Sequence, residues 1–302
     1  MVNLIKNYYP KKLPNISIII PTLLADNTLK KCIQSAVKLN YPKNKITLII
    51  VDNGSKKKFS KIFKKIFPGI KILKNKINLG FAKAVNQAIN KFPRDYFFIT
   101  NDDIVFEKKS LLKLVNFAKT RDEVGICGGQ QLNIKTHNFL AGGKNFSFLT
   151  GRQTTLENAK EPTLCDQIDG CTMLIKKEVI KSTGLFDEGY FPAYSEDLDL
   201  CIRTKRNGFE IFYIPDAIFY HHLAHTTSTF TLNDIYYFGF KNRLRFFIKH
   251  ANIFQFTSFI IFHYLLTMPI RIVFRGEPIF IPEINAILWN FKNLKKTLTA
   301  KV

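Results

Sequence analysis

The chain has 302 residues, 46% of them hydrophobic, with 15 glycines and 12 prolines, a composition that buries a substantial core and excludes a fibrous or disordered protein. Lys and Arg number 45 against 23 Asp and Glu, a formal charge of +22, which favours anionic partners such as nucleotides, nucleic acid or an acidic membrane face without choosing among them. The five cysteines contain no C-x-x-C pair and the first residues hold no apolar secretory stretch, so a reducing, cytosolic setting is expected.

From residue 16, short β-branched or aromatic runs alternate with helix-period segments, the rhythm of βαβ units on a parallel sheet. Residues 16–20 predict a first strand, stopped by Pro21. Leu29, Cys32, Ile33, Ala36 and Val37 predict a helix, and residues 46–51 a second strand emptying into Asp52-Asn53-Gly54-Ser55. Phe59, Ile62, Phe63 and Ile66 predict another helix, and residues 70–73 a third strand. After the loop Asn78-Leu79-Gly80, the set Phe81, Ala84, Val85, Ala88 and Ile89 gives the clearest amphipathic helix. Residues 96–100 predict an apolar strand ending at Asn101-Asp102-Asp103. Open α/β sheets place ligands at the carboxyl ends of their strands, so Asp52 and Asp103 are expected on one rim. Residues 130–165 follow neither period and predict loops or an irregular antiparallel part. A second ordered region is expected from residue 169 to about 220.

No G-x-G-x-x-G follows the first strand and no G-x-x-x-x-G-K-[ST] occurs, which argues against dinucleotide enzymes and P-loop ATPases. Carboxylates stand there instead. In residues 194–203, Glu196, Asp197 and Asp199 load the first turn of an expected helix, while Leu198, Cys201 and Ile202 share its buried face. His221, His222 and His225 follow an apolar run, and strand-end imidazoles are candidate metal ligands. Carboxylate plus imidazole around an oxygen-loving divalent ion would suit a diphosphate substrate.

Taken in order, several blocks resemble the inverting family 2 glycosyltransferases. They are Ile-Ile-Ile-Pro-Thr (18–22), Val-Asp-Asn-Gly-Ser (51–55), Asn-Leu-Gly-Phe-Ala-Lys-Ala-Val-Asn (78–86), Thr-Asn-Asp-Asp (100–103), the block at Asp169-Gly170, Asp187-Glu188, residues 194–203 and Tyr220-His221-His222. The resemblance covers residues 15 to about 228 and is closest to the rhamnosyltransferase-like branch that builds bacterial surface polysaccharides. It implies an α/β nucleotide-binding domain of the A-type glycosyltransferase fold, a mostly parallel sheet flanked by helices. It also implies Mn²⁺ or Mg²⁺, a UDP- or dTDP-sugar donor, and transfer with inversion to a glycan or lipid-linked saccharide.

Carried onto this sequence, the resemblance gives Asp52 a hydrogen bond from the base imide, with Asn53 and Ser55 shaping the turn. Pro21, Thr22, Asn78 and Asp102 fall in the donor-facing blocks. Gly80 would let the backbone approach the nucleotide and Asn86 would hold that loop. Asn101 occupies the first position of the family's D-x-D motif and Asp103 the second acid, a metal ligand, with Asp102 between them pointing elsewhere. His221 would complete the metal site, His222 being the alternative register. Asp197 would be the general base, Glu196 an alternative base or a group orienting the acceptor, and Asp169 and Gly170 would line the donor or acceptor pocket. Asp199 and Arg203 are expected to brace the helix as a local ion pair. One departure is Leu24, where family members carry a polar residue, with Asp26 and Asn27 further on; it leaves UDP and dTDP open.

The chain divides in this reading into a catalytic domain, residues 1–228, and a helical extension, residues 229–302. In the extension aromatics alternate with cations from Tyr236, and residues 253–270 are largely apolar but broken by Gln255, Thr257, Ser258, His263 and Thr267. A crossing is not expected. Two helices packed on the catalytic domain are expected, or helices lying at the inner membrane face with Lys241, Arg243, Arg245, Lys249, Arg271 and Arg275 on anionic lipid. Other readings are an inactive sugar-nucleotide-binding relative and a basic nucleic-acid-binding protein. The second is opposed by scattered lysines and by acids gathered where phosphates would sit.

Overall fold

A computed structural model describes residues 12–24, 26–55, 63, 66–222 and 230–300. Phe59, Ile62 and His225 lie outside the described residues. In chain order the elements of the first half are β1 (Ile16–Thr22), α1 (Asn27–Val37), β2 (Ile46–Asn53), β3 (Lys71–Asn75), α2 (Phe81–Lys91), β4 (Tyr96–Thr100), β5 (Ile104–Phe106), α3 (Ser110–Lys119) and β6 (Val124–Asn133). Then come β7 (Phe139–Ala141), β8 (Lys144–Phe146), β9 (Gln153–Thr155), β10 (Thr163–Leu164), β11 (Thr172–Lys176), α4 (Lys177–Thr183), α5 (Glu196–Arg206) and β12 (Glu210–His221).

The βαβ rhythm yields the order β3-β2-β1-β4, all parallel, with Ile16 opposite Ile46 and Ile18 opposite Phe98. Alternate residues of these strands feed two cores, as period-2 geometry requires. Ile18, Ile20, Leu48, Ile50 and Phe98 meet α1 and α3 on one face. Ile19, Ile49, Val51, Phe97 and Ile99 meet α2, α4 and α5 on the other. The expectation of a mostly parallel sheet holds for this half; as a whole the sheet is mixed. β11 enters antiparallel between β4 and β6, and β12 lies parallel beside β6. The aperiodic residues 130–165 return the chain without a crossover helix, so β11 arrives with the opposite direction. Asp26, one of the polar residues after Leu24, caps α1 by accepting from the backbone N–H groups of Thr28 and Leu29.

The extension contains α6 (Leu232–His250), α7 (Ile253–Phe262), α8 (Met268–Arg275), α9 (Phe280–Lys292) and α10 (Leu294–Leu298), with a π turn fusing α7 and α8 into one 23-residue helix. Phe246 and Phe247 of α6 share a core with Tyr190, Leu198 and Ile202. The cations expected on lipid are turned inward: Lys241, Arg245 and Lys249 are buried, Arg243 donates to the Gly151 carbonyl, and Arg271 pairs with Glu277. Of that set Arg275 is exposed. A helix this aromatic buries its long cations because carboxylates and carbonyls of residues 151–199 meet them there.

Candidate active site

The carboxyl ends of β1 and β4 open on a cleft of about 610 Å³, a size suited to a nucleotide-sized ligand. Pro21, Thr22, Asn53, Asn78, Asn101 and Asp102 line one side. The Thr22 hydroxyl donates to Asp102 Oδ2 at 2.5 Å, so Asp102 faces β1. Asn53 is a junction: its amide donates to Asn78 Oδ1 and the Gly80 carbonyl, and its Oδ1 accepts from Asn75 and from the Leu79 N–H. Asp52 is buried beneath this rim; Oδ1 accepts from the Ser55 N–H at 2.8 Å, and Oδ2 lies 3.9 Å from Lys74 Nζ. The turn the motif implies is therefore present.

Around this loop the structure adds one contact and corrects one expectation. Gly80 has φ of 82°, and a Cβ there would come within 2.9 Å of the Phe191 ring. The glycine thus makes room for the protein's own 191–192 segment. Asn86 does not hold the Gly80 loop: it donates to the Phe186 carbonyl at 2.9 Å and accepts from the Phe186 N–H at 3.1 Å. Six residues along α2, its side chain has rotated onto the 184–188 segment, and the Asn53–Asn78 pair does the work assigned to it.

On the opposite side, pairing of Ile104 with His221 brings the end of β12 to the start of β5. His221 Nε2 lies 3.1 Å from Asp103 Oδ2. Asp103 Oδ1 is buried with no hydrogen-bond partner. This register distinguishes the two histidines: His221 faces Asp103 with its ring, while His222 donates its backbone N–H to the Asp103 carbonyl at 2.9 Å. Among the described residues no group of three or more Asp, Glu, His or Cys gathers as a closed metal cage. His221 lines the cleft and Asp103 sits buried behind it with one unsatisfied carboxylate oxygen, a pair that fits a hard cation taking its remaining oxygens from substrate and water.

The third wall is the start of α5. Tyr194 and Ser195 both have positive φ, 81° and 70°, a strained pair for non-glycine residues and one that sets the helix start at the cleft. Glu196 is buried with Oε2 unpartnered. Asp197 reaches the cleft, its Oδ2 accepting from the Gly170 N–H at 3.3 Å and its Oδ1 from the Leu198 N–H at 2.7 Å. Burial and then the nearby Asp169 charge raise the Asp197 carboxyl to about 6, with Lys144 opposing them. Glu196 is raised as well, by burial and then by Asp197. Lys144 Nζ grips both oxygens of Asp169 at 2.6 and 2.8 Å; burial weakens its charge, but Asp169 outweighs that and holds it protonated. Lys144 sits in the aperiodic stretch, where sequence periodicity carries no orientation.

Asp199, two residues beyond the base candidate, points the other way. The expected Arg203 pair is there, at 2.8 Å. So are Lys249 and His250 of α6, each at 2.7 Å, and the Tyr190 hydroxyl at 3.1 Å. Asn242 of α6 donates to the carbonyls of Tyr190 and Ala193, and Lys241 to that of Phe191. The wall carrying Pro192, Ala193 and Tyr194 is thus held from behind by the extension.

Residues 17–183, or 167 of the 302, match the family described as glycosyl transferase family 2. An uncharacterized glycosyltransferase of Rickettsia typhi is 32% identical over 199 residues, 64% of this chain and 59% of that protein. The chain therefore spans about three-fifths of that relative's length. N-acetylglucosaminyl-diphospho-decaprenol L-rhamnosyltransferase of Mycobacterium tuberculosis is 24% identical over 213 residues, 61% of this chain and 68% of that protein. GalNAc-T7, solved with UDP, GalNAc and Mn²⁺, aligns with a TM-score of 0.66 at 14% identity, over 90% of this chain and 59% of that one. The match over more than half of its length makes the chain a member of glycosyltransferase family 2, with the A-type glycosyltransferase fold.

Proposed function

We propose that the protein transfers a sugar from a UDP- or dTDP-sugar to a hydroxyl of a glycan or lipid-linked acceptor, with a divalent cation and inversion at the anomeric carbon. Rhamnose is the sugar that the mycobacterial relative's name suggests, and surface-polysaccharide synthesis is the setting that the sequence resemblance implies. One observation carries the reading: His221 of the Asp103–His221 pair and the Asp197 carboxylate line the same cleft. The UDP and Mn²⁺ bound to GalNAc-T7 support the donor class and the ion. Asp103 and His221 would hold that ion, which when bound supplies positive charge against the departing diphosphate.

The chain's own groups do the rest. The 21–22 rim receives the nucleoside, Asp52 shapes the turn beneath it, and Asn53 keeps the Asn78–Gly80 loop closed beside it. In an in-line displacement the acceptor oxygen bonds the anomeric carbon as the bond to diphosphate breaks on the opposite face, and the acceptor's proton passes to Asp197. The Gly170 and Leu198 N–H groups hold that carboxylate in place, and Glu196 orients the acceptor. The raised position of Asp197 suits a base at neutral pH, because a carboxyl near 6 is mostly ionised at pH 7 and still basic enough to take a proton. The test is donor-induced thermal stabilisation with Mn²⁺, alongside transfer. Asp103→Asn should lose the Mn²⁺-dependent part of the shift and the transfer activity; a variant that keeps both would remove the metal role.

A further inference from the structure

Beyond α6 the chain presents an apolar surface that no described residue covers. On the α7–α8 helix, Phe254, Ile261, Leu265 and Val273 are exposed, Phe254 at 70% and Leu265 at 69%. On α9, Phe280, Ile284, Ile287 and Phe291 recur at spacings of four, three and four, all exposed, Phe291 at 78%. Several polar groups of the same helices face inward: His263 meets Glu283 at 3.3 Å, Tyr264 donates to Glu283 at 2.8 Å, and Asn290 donates to the Lys241 carbonyl. We propose that this face docks on an anionic lipid surface, with the 23-residue helix lying along it.

Charge selects this occupant. Residues 251–302 contain two carboxylates, Glu277 and Glu283; Glu283 is buried and Glu277 is paired with Arg271. Arg275, Lys292, Lys295 and Lys296 are exposed around the apolar residues, so the rim is positive. Two copies meeting through this face would bring like charges together, whereas anionic headgroups complement it. The orientation follows from the inner side. At 1.5 Å per residue the helix is roughly 34 Å long, enough to span. Yet Phe259 stacks on Phe247 at 3.7 Å, Ser258 donates to the Leu149 carbonyl, and Arg243 sits over the Phe259 ring. Crossing would tear the helix from α6 and from Leu149, while lying flat keeps these contacts.

The test is flotation of the full chain with phosphatidylcholine vesicles, with and without phosphatidylglycerol, together with sedimentation velocity. Phosphatidylglycerol vesicles should bind the protein, and raised salt should release it. Leu265→Glu with Phe291→Glu should abolish binding. Lys292→Gln, Lys295→Gln and Lys296→Gln together should weaken it about a hundredfold, near fivefold per charge. Absence of binding by the unmodified chain, unchanged partition of the double variant, or a dimer that the double variant dissolves would each overturn the proposal. The face lies outside the cleft, so donor-induced thermal shifts of the same variants should match the parent, and failure here is separable from failure of the transfer reading.

Discussion

Asp197 and Asp199 are two residues apart in one turn of α5 and live in opposite circumstances. Asp199 is fully buried, where burial alone would raise its carboxyl; the His250 hydrogen bond and the charges of Arg203 and Lys249 hold it well below the usual range instead. Asp197 has two backbone donors and an acidic neighbour, and Glu196 beside it has an oxygen with no partner. The side facing the extension satisfies its charges, and the side facing the cleft leaves them short. A carboxylate already saturated with donors cannot take a proton, so the division of partners is also a division between anchoring and chemistry.

The sharpest way to break this comparison is to neutralise each acid isosterically. Asp197→Asn should lower kcat by about 10² to 10⁴ while leaving donor-induced stabilisation intact. Its folding stability should equal or exceed that of the parent. The sign follows from linkage: a carboxyl raised on folding costs stability once pH exceeds its ordinary range, up through about 6, and the amide removes that cost. Normal turnover in this variant would transfer the base role to Glu196.

Asp199→Asn should do the reverse. It leaves Arg203 buried with a neutral partner and Lys249 with Asp187 as its remaining carboxylate, a defect of roughly 3–5 kcal/mol, or on the order of 10 °C in Tm for a chain of this size. In the parent this contribution is present at neutral pH and is lost on acidification through the depressed carboxyl. The melting temperature of the variant should therefore fall less steeply with acid than that of the parent. A melting temperature unchanged from the parent would show that the extension is not fastened through this residue.

The same contrast explains what could be read in the sequence. The β3-β2-β1-β4 half was legible because its strands and helices carry clean periods, and the blocks around Asp103, Asp197 and His221 were legible because motif order is local information. The partners were not. Lys241, Arg245 and Lys249 look like a lipid-facing stripe, yet Lys249 meets Asp199 fifty residues away and Arg245 meets Asp187 at 2.9 Å. Which carboxylate a cation finds depends on how α6 docks against α5, and no pattern within α6 encodes that. Asn86 turns away from the Gly80 loop for the same reason, since its partner Phe186 comes from a segment a hundred residues on. In α7 to α9 the apolar period itself separates the inward from the outward side.

The smallest expected effect sharpens the comparison most finely, because it moves Asp197 without touching it. Lys144 opposes the rise of the Asp197 carboxyl, while Asp169 promotes it. Lys144→Met should raise that carboxyl further, shifting the acid limb of the kcat/KM profile toward higher pH, because a protonated Asp197 cannot accept the acceptor's proton. Asp169→Asn should shift the same limb toward lower pH. At pH 8, where the base is ionised in all three proteins, rates should agree within several-fold. Opposite shifts with preserved plateaus are the signature of electrostatic tuning; a uniform loss of rate at every pH would instead make the Lys144–Asp169 pair a support for the 167–170 turn.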